Sequence, residues 1–320
     1  MGELCGIWPT MITPYTAANG IDYGAVEQLV EFYSKHKVDG IFALCQSSEM
    51  FYLTRAEKRE ILKRILTLLP REIGLVVSGH TADAPGEQTS QIQDLVDGRV
   101  AAYVLVSNRF AAKHESDDVL IQNMDRFLNA VPDLPLGVYE CPYPYKRLLS
   151  PKVIDYCVQS GRFVFIKDTS CNVETIRQRL QQTRGTRIRL LNANSATLLQ
   201  TLHLGADGYC GIMANFHPQL YTWLWRNYCT QPNRAKVLQD FLGVSSLVER
   251  QYYPVSAKHF LQLEGLDLGL SSRVPDRGDY TSGMRLETEQ FWRLSHLVED
   301  TLLQGDADTD GIGIKKEETC

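Results

Sequence analysis

Short apolar runs rich in β-branched and aromatic residues alternate along this chain with longer segments whose apolar residues recur at helical spacing, and the alternation occurs eight times. That rhythm narrows the fold sharply. A strand followed by a helix returns parallel to its predecessor, and eight such units close a barrel. The expected strands lie at 6–13, 40–44, 74–78, 101–106, 136–139, 163–167, 188–191 and 208–212. Between them, Val26, Leu29, Val30 and Tyr33 form one apolar helical stripe. Thr54-Arg55-Ala56-Glu57 is a capping box whose side chains satisfy N–H groups left open at a helix start, and Ile61, Leu62, Ile65, Leu66 and Leu69 line one face until Pro70. Val119, Met124, Phe127 and Leu128 mark a fourth helix, and Ile176 and Leu180 a sixth. Leu198, Leu199 and Leu202 mark a seventh that opens on Asn194 or Ser195, and His217-Pro218 starts an eighth. Pro9 conflicts with the first strand, because it has no N–H for the ladder; we read it as a strand-entry residue.

The fold class expected is therefore α/β, a (β/α)8 TIM barrel over residues 1–228, followed by a helical appendage over 229–303 and a disordered tail at 304–320. Helices are predicted at 234–248, 255–263 and 286–303, with a polar stretch containing Gly and Pro at 265–283. The tail carries few apolar groups and cannot offset the entropy of ordering. Lys and Arg number 33 against 38 Asp and Glu, a net charge of −5, which provides no basic field for nucleic acid. No apolar stretch approaches the ~20 residues that cross a bilayer, and residues 1–10 lack the pattern of a signal peptide, so a cytoplasmic protein is expected. Eight cysteines without a Cys-x-x-Cys pair point to reduced thiols.

Lys167 ends the apolar run Phe163-Val164-Phe165-Ile166 and is followed by Asp168, Thr169 and Ser170. An exposed lysine amine, with pKa ~10.4, is almost wholly charged at neutral pH, and burial favours the neutral form that can attack a carbonyl carbon. The competing reading is a lysine whose stem covers apolar neighbours while its ammonium stays in water. In a parallel barrel the active site forms at the carboxyl ends of the strands. Those ends read Cys45-Gln46-Ser47-Ser48-Glu49, Tyr139-Glu140-Cys141-Pro142, Lys167-Asp168-Thr169 and Cys210-Gly211-Ile212.

Across about residues 6–225 this arrangement resembles the pyruvate-dependent class I aldolase superfamily that contains dihydrodipicolinate synthase and N-acetylneuraminate lyase. Ile12-Thr13-Pro14 is similar to the family's first strand end, and Cys45 to Glu49 stands where the family has Gly-Thr-Thr-Gly-Glu. Val138 to Pro142 is similar to its tyrosine strand, and Phe165-Ile166-Lys167-Asp168 to its Schiff-base lysine strand. The resemblance implies an imine between Lys167 and the keto carbon of pyruvate or a related 2-oxo acid, with Tyr139 as proton shuttle. It implies Ser47 and Ser48 as a carboxylate cradle, with Cys210 at the eighth strand end as a further substrate-binding position. It also implies a small-molecule 2-oxo acid partner, a homodimer or homotetramer, and neither metal nor organic cofactor.

Several positions depart from the family pattern. Gln46 replaces its first threonine and Ser48 its second glycine, and Phe110-Ala111 falls near the tyrosine that a neighbouring subunit lends. The arginine that binds a dicarboxylic partner is missing from Pro142-Tyr143-Pro144-Tyr145-Lys146-Arg147; Lys146, Arg147 or Arg109 are its candidate replacements. The second substrate stays open between the dihydrodipicolinate synthase reaction, a sialic-acid-like sugar acid, a 2-keto-3-deoxy sugar acid and a hydroxy-2-oxoglutarate. Structural readings also stand beside these roles: Tyr139 as a core aromatic, the serines as a polar loop, Arg109 as a surface charge, the strand-end cysteines as small buried hydrophobes, a thiol nucleophile or a soft-metal site. The rival to an enzyme is a non-catalytic barrel that binds a small acid or a protein partner.

Overall fold

The computed structural model describes residues 4–131, 133–275 and 278–304. Eight strands, β1 (Gly6–Ile7), β2 (Gly40–Ala43), β3 (Gly74–Val77), β4 (Ala102–Val106), β5 (Leu136–Tyr139), β6 (Phe163–Asp168), β7 (Arg189–Asn192) and β8 (Gly208–Tyr209), pair in parallel in the order β1-β8-β7-β6-β5-β4-β3-β2. The seam between β1 and β2 is bridged past Pro9, where Phe42 N–H donates to Pro9 O at 2.9 Å and Met11 N–H to Phe42 O at 2.9 Å. These bonds draw the sheet into the (β/α)8 ring expected of eight units.

Two strands fall more than one residue short of the range read. Regular pairing of β1 stops at Ile7, ahead of Pro9, so the proline follows the strand instead of entering it. The run expected at 208–212 leaves the ladder after Tyr209, because Ile212–Asn215 forms a 3-10 turn.

Outside the ring lie α1 (Tyr23–Lys35), α2 (Arg55–Leu68), α3 (Pro85–Gln93), α4 (Asp117–Ala130), α5 (Pro151–Ser160), α6 (Val173–Thr183), α7 (Leu198–His203) and α8 (Pro218–Asn227). The capping box at the start of α2 forms as read, with Thr54 N–H donating to Glu57 Oε2 at 2.8 Å and Glu57 N–H to Thr54 Oγ1 at 3.2 Å. Ahead of α7 stands a 3-10 turn, Ser195–Thr197, whose Thr197 N–H donates to the Asn194 side chain at 3.1 Å.

Beyond the ring come α9 (Pro232–Ser245), α10 (Val255–Leu263) and α11 (Ser282–Glu299). α10 matches the range read from periodicity, whereas α9 and α11 both start and end before theirs; α9 starts earlier because Pro232 suits the first helical turn, and α11 because Thr281 caps it. Phe291 of α11 packs against Phe216, His217 and Phe260, with ring centroids 5.3–5.7 Å apart, which fastens α11 and α10 to the start of α8. No described helix is long and apolar enough to cross a membrane, and no disulfide joins the described cysteines. Apart from Gln304, the tail expected at 304–320 lies outside the described residues.

The interior of the ring is filled by Trp8, Phe42, Val76, Val104 and Phe165. Trp8 occupies the space that two glycines leave empty: a Cβ on Gly40 would come within 2.2 Å of its ring, and one on Gly74 within 2.4 Å. Those glycines are there for the indole. Gly40→Ala should lower stability by ~1–3 kcal/mol through overpacking, read from the midpoint of urea unfolding.

Candidate active site

Alternate residues of a strand face opposite sides. At the ends of β5 and β6 this sends Tyr139 and Lys167 into the ring and Glu140 and Asp168 out toward the helices. Tyr139 and Lys167 are partners in the ladder register. Lys167 is 4% exposed, and its Nζ lies 4.3 Å from the centroid of the Tyr139 ring and 5.4 Å from that of Phe42. Aromatic faces supply weak compensation for a buried charge.

Burial holds the Tyr139 phenol well above its usual range, so the group stays protonated at neutral pH. Its hydroxyl is a hydrogen-bonding neighbour of the Cys141 thiol, which in turn donates to Gln46 Oε1 at 3.2 Å. Burial pushes the Cys141 thiol up to about 11 and that of Cys210 up to about 12, against the pull of Lys167. Neither is a thiolate nucleophile at neutral pH. A polar relay thus runs from the phenol to the loop after β2, through a residue that the sequence reading treated only as a departure.

On the outer side, Arg179 of α6 bridges the two strand ends. It donates to Glu140 Oε1 at 2.5 Å, to Leu149 O at 2.7 Å and to Asp168 Oδ2, while only 3% of its side chain is exposed. Glu140 also accepts from Leu149 N–H at 2.7 Å and Thr169 N–H at 2.8 Å. Burial presses the Glu140 carboxyl upward and Arg179 opposes it. All its partners there are donors, N–H groups and the Thr169 hydroxyl, so the ionised form is the one this network fits.

The cavity at the carboxyl end of the ring has a volume of about 560 Å³ and admits Lys167, Tyr139, Ser47 and Gln46 to one space. Ser47 Oγ donates to Thr10 Oγ1 at 3.0 Å. Ser48 does not line it: its Oγ donates to Met11 O at 2.6 Å and accepts from Cys45 N–H at 3.1 Å, and its own N–H donates to Cys45 O at 3.1 Å. Cys210 is also absent from the lining, which at that strand end is formed by Gly211 and Ile212. Of the three expected substrate-binding positions, Ser47 lines the cavity, while Ser48 and Cys210 do not.

Of the candidate charges, Lys146 lines the cavity and donates to Thr169 O. Arg147 turns to Asp117 at 2.9 Å and Ala112 O at 2.9 Å. Arg109 pairs with Asp83 and covers Phe51 at 5.9 Å, outside the lining. Phe110 is buried against Phe127, with ring centroids 5.6 Å apart.

Three contributors escaped the sequence reading. Tyr253, ahead of α10, lines the cavity, and its hydroxyl accepts from Asn215 Nδ2 at 3.1 Å and hydrogen-bonds Ser47 and Thr10. Glu249 lines it from the turn between α9 and α10. The segment 271–275 brings Val274 and Pro275 to the mouth. Glu49 grips that segment, accepting from Ser272 Oγ at 3.0 Å, Arg273 N–H at 2.7 Å and buried Lys258 at 3.3 Å. Arg273 adds a two-pronged ion pair to Glu57, at 2.7 and 2.9 Å.

The dihydrodipicolinate synthetase family profile matches residues 3–290. A 4-hydroxy-tetrahydrodipicolinate synthase of Staphylococcus epidermidis is 21% identical over 244 residues, 76% of this chain and 80% of that protein. Among solved structures, YagE, a prophage protein of the dihydrodipicolinic acid synthase family from E. coli K12 in complex with pyruvate, superposes with a TM-score of 0.83 at 20% identity, covering 92% of this chain and 100% of that one. A sialic acid aldolase of Ruminococcus gnavus superposes with a TM-score of 0.82 at 17% identity, covering 93% and 99%.

Removing the guanidinium that joins the strand ends leaves two buried carboxylates without their counter-charge. Arg179→Met should cost ~3–5 kcal/mol in urea unfolding.

Proposed function

We propose that this chain, which belongs to the dihydrodipicolinate synthetase family, forms an imine at Lys167 with pyruvate or a related 2-oxo acid. The chain is a lyase of the aldolase class; the imine and its substrate are our reading. The observation that carries it is the register pair: a buried lysine amine over the ring of a buried tyrosine, at the end of two neighbouring strands and open to one cavity.

The neutral Lys167 amine attacks the keto carbon, and a carbinolamine forms. Tyr139, held protonated by burial, relays a proton from the attacking nitrogen to the alkoxide as the carbinolamine forms, then gives its own proton to the departing hydroxyl, so that water leaves, the protonated imine remains and the phenolate is reprotonated from solvent. The protonated imine draws electrons from the adjacent methyl carbon. Losing a proton there makes a carbon nucleophile that adds to an aldehyde; run backward, the same steps cleave a carbon–carbon bond. Ser47, with Tyr253 beside it, receives the substrate carboxylate through hydroxyl donors. Gln46 and Cys141 take the relay position that a threonine holds in the family pattern. The reading is of a cytoplasmic homo-oligomer, as in the family resemblance.

Pyruvate and borohydride should add one reduced adduct to the protein, mapping to Lys167 by peptide mass. Lys167→Ala should abolish the adduct while keeping the unfolding midpoint, and Tyr139→Phe should slow turnover by ~10²–10⁴-fold yet still permit trapping. An unmodified Lys167 peptide at saturating pyruvate would support the non-catalytic barrel instead.

A further inference from the structure

Glu249 places in the cavity a carboxylate that the imine chemistry does not use. It stands in the 3-10 turn Ser246–Arg250 and faces the same space as Lys167. Among the described residues no hydrogen bond or ion pair reaches it. The other lining carboxylate, Glu49, is fully engaged by Lys258, Ser272 and Arg273. A partly buried carboxyl that faces a cavity with no protein donor on it has its acceptor oxygens open to a ligand there.

The rest of the lining restricts that donor. Among the described residues no guanidinium lines the cavity, since Arg109 and Arg147 both turn elsewhere, and the ammonium of Lys146, which does line it, donates to Thr169 O. A second carboxylate on the substrate would meet Glu249 as a like charge, while a hydroxyl would donate to it. Resting on the imine reading, we infer that Glu249 is the specificity-determining residue of the cavity, accepting a hydroxyl from the distal part of the substrate and thereby selecting hydroxylated, uncharged aldehydes over carboxylate-bearing ones.

Protonation adds a signature. Burial pushes the Glu249 carboxyl up to about 7 from 4.5, with Lys167 and Arg250 pulling it down. The groups that feel its charge are Cys171, Tyr209, Tyr221 and Tyr253, all of which burial holds in their neutral forms. Because the acid form predominates below that value and the carboxylate above it, the better hydroxyl acceptor emerges as pH rises.

The experiment couples pyruvate to D-glyceraldehyde or to succinic semialdehyde and compares kcat/KM. Wild type should favour glyceraldehyde by at least ~10-fold, with a limb that rises through about pH 7. Glu249→Ala should lose ~10–100-fold toward glyceraldehyde and close the gap between the two aldehydes. Glu249→Gln, which keeps an uncharged acceptor, should lose less and show no such limb. A borohydride adduct at Lys167 in both variants establishes that the site is folded. Retention of the wild-type preference in Glu249→Ala, a wild-type preference for succinic semialdehyde, or a wild-type protein that traps pyruvate and uses neither aldehyde would each overturn the assignment. Failure of the imine reading is a separate result: no adduct at Lys167 in wild type.

Discussion

Everything at the mouth of this barrel depends on the two-residue period of β5 and β6. One step along each strand separates a residue that faces the cavity from one that meets the helix layer, so Tyr139 and Lys167 cannot shift without moving Glu140 and Asp168. Arg179 takes hold of both outward carboxylates at once. The strands are thus tied together immediately behind Tyr139 and Lys167, and the rigidity of the amine–phenol geometry comes from an ionic contact on the opposite face of the sheet.

The cavity has two builders. The ring contributes its floor and Lys167, whereas Tyr253, Glu249, Val274 and Pro275 come from the helices and loops after it. Glu49 joins the two parts, because it belongs to the loop after β2 and yet receives Lys258, Ser272 and Arg273. The C-terminal helices are therefore part of the site's wall, and changes in that region alter the space offered to a second substrate without touching the amine.

How much of this was readable beforehand follows from which features are periodic. The strand and helix alternation is local, so the ring emerged from spacing and Lys167 drew notice as the end of an apolar strand, whereas Tyr139 was singled out by the family resemblance. Pro9 misled the first strand, since the chain closes the seam with scattered bonds where a ladder was expected. Ser48 looked like a cradle residue by its place in the loop, yet its hydroxyl turns inward to hold the loop against Met11. Glu249 and Tyr253 sit in an irregular segment, where no repeat announces which side chain reaches the mouth. Arg179 did leave a signal: it falls three residues after Ile176 on the buried face of α6, and a cation on an apolar stripe requires an anion nearby.

The Trp8 indole, seated over Gly40 and Gly74, acts as a stopper at the far end of the ring. Among the described residues the cavity therefore lies at the carboxyl end of the ring alone, away from the indole. On the imine reading proposed above, a second molecule entering at that end also bars the water that would hydrolyse the adduct beneath it, so an aromatic side chain remote from the chemistry makes the order of arrival a matter of queueing.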